Sequence, residues 1–321
     1  MSEPVRIANF LMTLDNDYQT LQRDVCRAAA KRHGFSVREL SARYDAEEQL
    51  RQIQQCLAEP EGTRPRAVLV HAIIETALRP VAEEAARLGV AFVLLNRSCR
   101  YLGELRARYP RVPIFAVDPD QRKIGRIQGQ QLVRLLPNGG DLLYISGKVG
   151  TSSAQLRLDC VKAALAGANI QMVVAQGDWS SASGTAAVQH WLRTRITTAS
   201  ACAVGAQNDS MAIGARAALM SAALELKQPH LMDIPITGCD GTVAQGQACV
   251  RSRELSATVV VPSSADRAVD ELASAFATGR GPTADIVLDV SSFPELPNIE
   301  PPKNQTGRSV PPRPKAAAAR A

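Results

Sequence analysis

Eight side chains in this sequence are suited by type and position to hold a small polar molecule. Carboxylates, amides and guanidinium groups fix hydroxyl groups by hydrogen bonds, charged groups most strongly, and an aromatic ring covers an apolar ligand face. All but one of them follow the ends of predicted strands, and the exception lies on a predicted helix. The candidates are Asn16, Tyr18, Asn96, Arg97, Arg157, Trp179, Asn208 and Asp240.

The stretch 203–217, AVGAQNDSMAIGARA, shows how the sequence places such a side chain. Its apolar beginning predicts a buried strand, and Asn208 or Asp209 is suited to cap the helix that follows. Gly214 lets that helix lie close against a sheet. Ligands of parallel α/β sheets bind beyond the carboxyl ends of strands, so a polar turn there predicts a binding site. Helix capping alone would also explain Asn208, and an ordinary turn would explain Asp240-Gly241.

Strand and helix patterns alternate along the chain, which predicts an α/β fold with parallel sheets and right-handed connections. At 321 residues the chain exceeds the size of one core, so two Rossmann-like lobes joined by a three-crossing hinge are expected. We predict an N-terminal lobe of residues 1–117 plus 262–284, and a C-terminal lobe of 118–261 plus 285–293. We interpret the Arg-rich segment 100–112 as an irregular surface insertion. Residues 294–321 are predicted to be a disordered basic tail rich in Pro and Ala.

The charge of the chain is concentrated at its C-terminus. The net charge is +6, and five cations without any acid lie beyond Glu300, which leaves +1 for the rest. A nearly neutral body argues against nucleic acid as a partner. No apolar run reaches the length of a membrane span, so membrane insertion is not expected.

The pattern of titratable residues argues against an enzyme. The four histidines lie on unrelated elements, and the seven cysteines lack CxxC spacing, so neither a metal cluster nor a Ser/His/Asp set is predicted. Ser146-Gly147-Lys148 lacks the glycine spacing of a phosphate loop, and no GxGxxG follows the first strand. We therefore expect no catalytic residue, no metal and no cofactor.

Several motifs in one order resemble the type I periplasmic binding proteins for sugars, of the ribose- and galactose-binding kind. They are LMTLDNDY, LLNR, GTSSAQLR, AQNDSMAIGA, ITGCDGTVAQG and LSATVVVP. The resemblance extends over most of residues 5–293. It implies a sugar-binding protein that closes about its ligand by a hinge and serves an ABC-type uptake system.

The resemblance also implies roles for the candidate residues. Asn16, Asn96, Arg97, Arg157, Asn208 and Asp240 would contact sugar hydroxyls, and Trp179 and Tyr18 would stack on the sugar. Some positions depart from the family pattern: Gln19 replaces a second aromatic, Asn96 an acid, and Val261 and Met12 polar groups. These departures leave the class of ligand unchanged, but they leave the identity of the sugar open.

The sequence and the resemblance predict different cellular compartments. No signal-peptide pattern precedes the first strand, which predicts a cytoplasmic protein for the sequence as written, whereas the resemblance implies the periplasm. The alternative function is a cytosolic sugar sensor, or the effector domain of a regulator of the lactose-repressor type without its DNA-binding domain. No helix-turn-helix precedes the first strand to support the regulator. Partners other than the sugar would be a permease or a sensor protein.

Overall fold

The computed structural model describes residues 4–194 and 201–301. The strands within these ranges are β1 Arg6–Leu11, β2 Ser36–Ser41, β3 Ala67–His71, β4 Ala91–Leu95, β5 Ile114–Pro119, β6 Gly140–Ser146, β7 Ile170–Gln176, β8 Cys202–Ala206, β9 Ile236–Thr237, β10 Thr258–Val260, β11 Ile286–Leu288 and β12 Ser291–Phe293. The α-helices are α1 Asp17–Arg32, α2 Ala46–Leu57, α3 Arg79–Arg87, α4 Arg100–Arg108, α5 Gln121–Leu135, α6 Ser152–Ala164, α7 Ser181–Thr194, α8 Asp209–Glu225, α9 Gly246–Arg251 and α10 Ala265–Thr278. The predicted alternation of strand and helix is confirmed.

Two parallel sheets form the two lobes. The first has the strand order β11-β5-β4-β3-β1-β2, and the second has the order β7-β6-β8-β9. Helices α1 and α10 cover one face of the first sheet, and α2, α3 and α4 cover the other. Helices α7 and α8 pack on one face of the second sheet, and α5 and α6 on the other. The predicted α/β architecture is confirmed, with its apolar cores on both faces of each sheet.

Local sequence signals set most of the element boundaries. The strand sequences AVLVH and AFVLL are buried throughout, as continuous apolar runs in the middle of a parallel sheet should be. Asn208 caps α8, as predicted, by accepting the backbone N–H of Met211, and Asp45 caps α2 by accepting those of Glu47 and Glu48. The buried strand predicted at the beginning of 203–217 is β8, which begins at Cys202 and ends at Ala206.

The last strands differ from the prediction. We assigned residues 285–293 to the C-terminal lobe, but β11 pairs in parallel with β5 in the first sheet, with Ile286 opposite Val117. The chain then crosses, and β12 pairs antiparallel with β10. The third crossing therefore lies between Leu288 and Ser291, not at Asp285. Without β11, the edge of β5 opposite β4 would leave backbone N–H and C=O groups unpaired, and β11 pairs with them.

The segment 100–112 is not an irregular insertion. Residues 100–108 form α4, which buries Tyr101, Leu102 and Leu105 against the first sheet and leaves Arg100 and Arg108 exposed. The prediction was wrong because arginines dominate the segment, and only three apolar residues show the helical period.

The tail begins later than predicted. Residues 294–301 are ordered against the second lobe, where Leu296 and Ile299 pack on Leu135 of α5 and on Ala257. Ile299 is only 4% exposed. The prolines of this segment suggested disorder, but the burial of Leu296 and Ile299 on the same apolar surface holds it against the lobe. The rest of the predicted tail, 302–321, lies outside the described residues.

Candidate ligand-binding site

The carboxyl ends of the two sheets face each other across a cleft, and several contacts join the lobes there. Glu75, in a 3-10 turn after β3, accepts a hydrogen bond from the backbone N–H of Ser152 at 2.6 Å. Arg97 donates to the hydroxyl of Ser153 at 3.1 Å. The hydroxyl of Thr242 donates to the carboxylate of Asp17. The described conformation is therefore one in which the lobes touch around the cleft.

The first lobe contributes Asn96, which stands directly after β4. Its backbone has a φ of +64°, a left-handed conformation that Asn tolerates better than most residues. Its Oδ1 accepts hydrogen bonds from the hydroxyls of Tyr18 at 3.0 Å and Ser264 at 2.7 Å. Asn16 caps α1 through its side-chain oxygen and donates to the hydroxyl of Tyr44 at 3.3 Å. Asn16, Tyr18 and Asn96 thus belong to one wall of the cleft.

The two arginines lie on opposite sides of the cleft, and both are buried. Arg97, 4% exposed, is held at 3.5 Å from the Glu75 carboxylate. Arg157, 7% exposed, reaches from α6 and donates to the side chain of Gln121 at 2.7 Å and to the carbonyl of Gln207 at 2.6 Å. Both guanidinium groups are therefore fixed in direction by the protein itself, and each retains N–H groups for a ligand.

Trp179 lies between these arginines. Its ring centroid is 5.9 Å from the guanidinium carbon of Arg97 and 5.7 Å from that of Arg157, both within cation–π range. A Cβ added at Gly147 would come within 2.1 Å of the ring, so only glycine leaves room for it. The side chain of Asn208 donates to the Trp179 carbonyl at 2.9 Å while its oxygen caps α8. Ring and amide are positioned together.

Asp240 stands after β9 with a φ of +120°. Its N–H and C=O bond Val259 and Val261, which ties the turn to β10. Burial, together with the nearby Asp209 carboxyl, raises the pKa of Asp240 well above its ordinary value. Asp209 itself accepts from the Gly241 N–H and the Thr258 hydroxyl, both at 2.7 Å, and burial raises its pKa to about 7. Asp209 therefore holds the turn, and Asp240 remains available to the cleft.

All eight predicted residues come together in this region, although no ligand contact tests their roles. Sequence reasoning missed several others that support them, namely Glu75, Asp118, Gln121, Gln207 and Cys239. Gln121 donates to the Asn96 carbonyl at 3.1 Å and to Asp118 at 2.7 Å, and Gln207 accepts from the Gly147 N–H at 2.8 Å. Gln207 follows β8 directly and Asp118 lies in the last two residues of β5, so both could have been found by the rule of strand ends. Glu75 gave no such signal.

Among residues 4–194 and 201–301, no three His, Cys, Asp or Glu side chains are grouped so that they could hold a metal ion. Asp178, which precedes Trp179, is exposed and bonds Ser180 within its own turn. Across the same ranges, no helix combines the length and apolar character needed to cross a bilayer.

Two α/β lobes with a polar cleft at the facing sheet ends form the architecture that hinged solute-binding proteins have. The profile of the periplasmic binding protein domain matches residues 7–280, and the chain belongs to this family, in its type I branch. A D-ribose/D-allose-binding protein of Pseudomonas aeruginosa is 29% identical over 226 residues, 68% of this chain and 67% of that protein. The ribose import binding protein RbsB of Escherichia coli is 24% identical over 254 residues, 79% and 78% of the two chains.

A solved structure supports the fold. A galactofuranose-binding protein superposes with a TM-score of 0.78 at 19% identity and covers 92% of this chain and 98% of its own. The resemblance read from the sequence motifs is thereby confirmed at the level of family and fold.

Proposed function

We propose that this protein binds a monosaccharide or a related polyol in the cleft between its lobes and releases it chemically unchanged. The observation that carries the proposal is the convergence of Arg97, Arg157, Trp179 and Asp240 between the two sheets. Hydroxyl groups donate and accept, so they suit a wall that offers guanidinium donors and a carboxyl acceptor. The curated relatives bind ribose and allose, which supports the sugar class.

The balance of charge favours a neutral ligand. Arg97 is opposed by Glu75, and Arg157 is opposed by Asp118 and Asp240, whose pKa values it lowers against the stronger effect of burial. Burial raises the pKa of Asp118 to about 7, so this carboxyl near both arginines carries only part of a charge at neutral pH. A charged ligand would have to displace one of these pairings, at the cost of an unpaired buried charge.

Closure of the lobes would couple binding to transport. The three crossings act as a hinge, and the cross-lobe bonds of Glu75, Arg97 and Asp17 stabilise the closed form. A permease of the ABC type would then recognise the closed, loaded protein. Small-angle scattering should show a smaller radius of gyration with saturating sugar than without it. An unchanged profile with a proven ligand would contradict the hinge.

The ligand is found by a thermal-shift screen of sugars, polyols and nucleosides, followed by calorimetry on variants. Asp240→Ala and Arg157→Ala should each lose about ten- to hundredfold in affinity, since each leaves ligand hydroxyls unpaired, at roughly 1–3 kcal/mol per group. Asp159→Ala, at an exposed position of α6, is the matched control and should bind like the parent. An amino acid or anion as the best hit, or an Asp240→Ala variant of parental affinity, would refute the assignment.

The transport role places the protein in the periplasm, which is the compartment of the family. Fractionation of cells that express the chromosomal gene with a C-terminal tag tests this directly. Recovery with periplasmic markers, and growth loss on the identified sugar after gene deletion, would support uptake. Recovery with cytosolic markers would instead favour the sensor.

A further inference from the structure

Beneath Asn96, the face of the first sheet under α1 and α10 contains a group of buried polar side chains. Asn9 on β1 and His71 on β3 lie on this face with Ile7 and Leu69, because alternate residues of a strand share a side. Both are 0% exposed, as is Gln22 of α1. This polar cluster, made up of Asn9, Gln22, His71, Asn96 and Ser264, interrupts an otherwise apolar interior.

Several atoms of this cluster have no hydrogen-bond partner among the described residues. They are both side-chain polar atoms of Asn9, the Nε2 of His71 and the Nε2 of Gln22. Buried polar atoms are nearly always paired, and leaving one unpaired costs roughly 1–3 kcal/mol. A core would be expected to lose such residues unless they serve another requirement.

Gln22, through Ser264, and His71, directly, are each connected to Asn96 by their paired side-chain atoms. The Oε1 of Gln22 accepts from the backbone N–H of Ser264 at 3.2 Å, and the Ser264 hydroxyl lies 2.7 Å from Asn96 Oδ1. The Nδ1 of His71 lies 3.3 Å from Asn96 Nδ2. A separation of 2.7 Å is usual for O–H···O and short for N–H···O, so the atom facing Ser264 is the amide oxygen. The amide nitrogen then faces His71, which must accept its hydrogen.

This arrangement specifies the protonation of the imidazole. An accepting Nδ1 requires the neutral ring with its hydrogen on Nε2. Burial favours the neutral ring as well and lowers the pKa of His71 to about 3. With its oxygen bound by two hydroxyls and one N–H bound by His71, the Asn96 amide has a single N–H left.

We propose that His71 is a positioning residue that makes Asn96 a hydrogen-bond donor to the ligand, so that the ligand must present an acceptor oxygen at this point. The proposal rests on the cleft being the sugar site. It explains why an amide occupies position 96: a carboxylate there would set its oxygen against the lone pair of Nδ1. An acid would be tolerated only if the imidazole gained a proton on Nδ1.

The first test needs no ligand. Long-range ¹⁵N–¹H correlation spectra of the full chain should show one imidazole as the neutral Nε2–H form, unchanged from pH 5 to pH 8, and absent in His71→Phe. In Asn96→Asp the same ring should carry hydrogen on Nδ1. A parent His71 that titrates in this range, or that carries its hydrogen on Nδ1, would overturn the proposal whatever the ligand proves to be.

The second test uses the sugar identified by the screen. His71→Phe replaces the imidazole by a ring of similar size that cannot accept from Asn96, and it should lower sugar affinity about tenfold. The melting temperature should fall only slightly, because removing the unpaired Nε2 from the core offsets the loss of the bond to Asn96. His190→Phe, at an exposed position of α7, is the control. Parental affinity in His71→Phe would overturn the proposal, and so would a loss of affinity matched by a proportionate loss of stability. If no sugar binds the parent at all, the proposed function fails, and the spectra alone decide on His71.

Discussion

The carboxylate of Glu75 in the first lobe lies 2.6 Å from the backbone nitrogen of Ser152, the first residue of α6 in the second lobe. Glu75 is 2% exposed and also faces Arg97. A carboxylate at a helix N-terminus is stabilised by the unpaired N–H groups and by the helix dipole. One side chain therefore joins the lobes and orients a candidate ligand-binding arginine.

Glu75→Gln should weaken the hydrogen bond between Glu75 and Ser152 while keeping its geometry. The amide oxygen can still accept from Ser152, but the charge-assisted part of the bond is lost, about 1 kcal/mol. We expect sugar affinity to fall about three- to tenfold in calorimetry, and the ligand-free protein to be more open in scattering. Glu84→Gln is the control, because Glu84 pairs with Arg87 on the surface of the same lobe. Equal affinities for the two variants would contradict the role of Glu75.

Gly147→Ala should disrupt the site through Trp179. A Cβ there would meet three ring atoms at 2.1–2.5 Å, so the indole must move away from the arginines. We expect at least a tenfold loss of affinity and a loss of stability of about 1–3 kcal/mol, as for other overpacked sites. Gly103→Ala in α4 has open space around it and should be neutral or slightly stabilising. Denaturant unfolding and calorimetry on both variants give the answer.

Asp118→Asn should change how stability depends on pH. Burial raises the pKa of Asp118 to about 7, so the folded state holds this proton more tightly than the unfolded state. Its contribution to stability therefore falls as pH rises from about 4 to 7. The variant keeps the oxygen that accepts from Gln121 but carries no charge. The stability of the variant relative to the parent should therefore rise by about 1–3 kcal/mol between pH 5 and pH 8.

Melting temperatures at both pH values check this prediction. Asp159→Asn, a change at an exposed position, should have the same effect on the melting temperature at pH 5 as at pH 8. A parent whose stability relative to Asp118→Asn is the same at pH 5 and pH 8 would show that Asp118 ionises normally.

The C-terminal segment offers a test of where the fold ends. Ile299 is buried against Leu135 and Ala257, so Ile299→Ala should cost about 2 kcal/mol in the free energy of unfolding. Deletion of residues 302–321 should leave stability and sugar affinity unchanged. A large destabilisation by that deletion would show that the fold extends beyond the described residues.

Local chemistry made much of this structure predictable. The cap at Asn208 and the buried strand before it depend on a few neighbouring residues, and these predictions are confirmed. Because parallel strands end at one edge, the rule of strand ends also placed seven of the eight candidate residues around one cleft. Their contacts with a ligand remain predictions.

Long-range pairing and side-chain direction were not predictable. Whether β11 joins β5 or the second sheet depends on which open edge is nearer in space, and no local pattern records that. Glu75 follows an apolar run and resembles an ordinary surface acid until Ser152 and Arg97 approach it. The use of the Asn96 oxygen by Tyr18 and Ser264 likewise depends on residues distant in sequence.

Three residues of the cleft, Asn96, Trp179 and Asp240, have positive φ angles of 64°, 79° and 120°. Such conformations cost about 1–3 kcal/mol in a residue other than glycine and are worst for β-branched side chains. Mutational drift at these positions is therefore confined to a few residue types. Substitutions that change ligand specificity should therefore be tolerated best at Met12, Cys239 and Val261. Met12 packs in one core cluster with Trp179, Cys239 and Val261 pack with Tyr18, and none of the three has a positive φ. A library for altered specificity should diversify those three positions first.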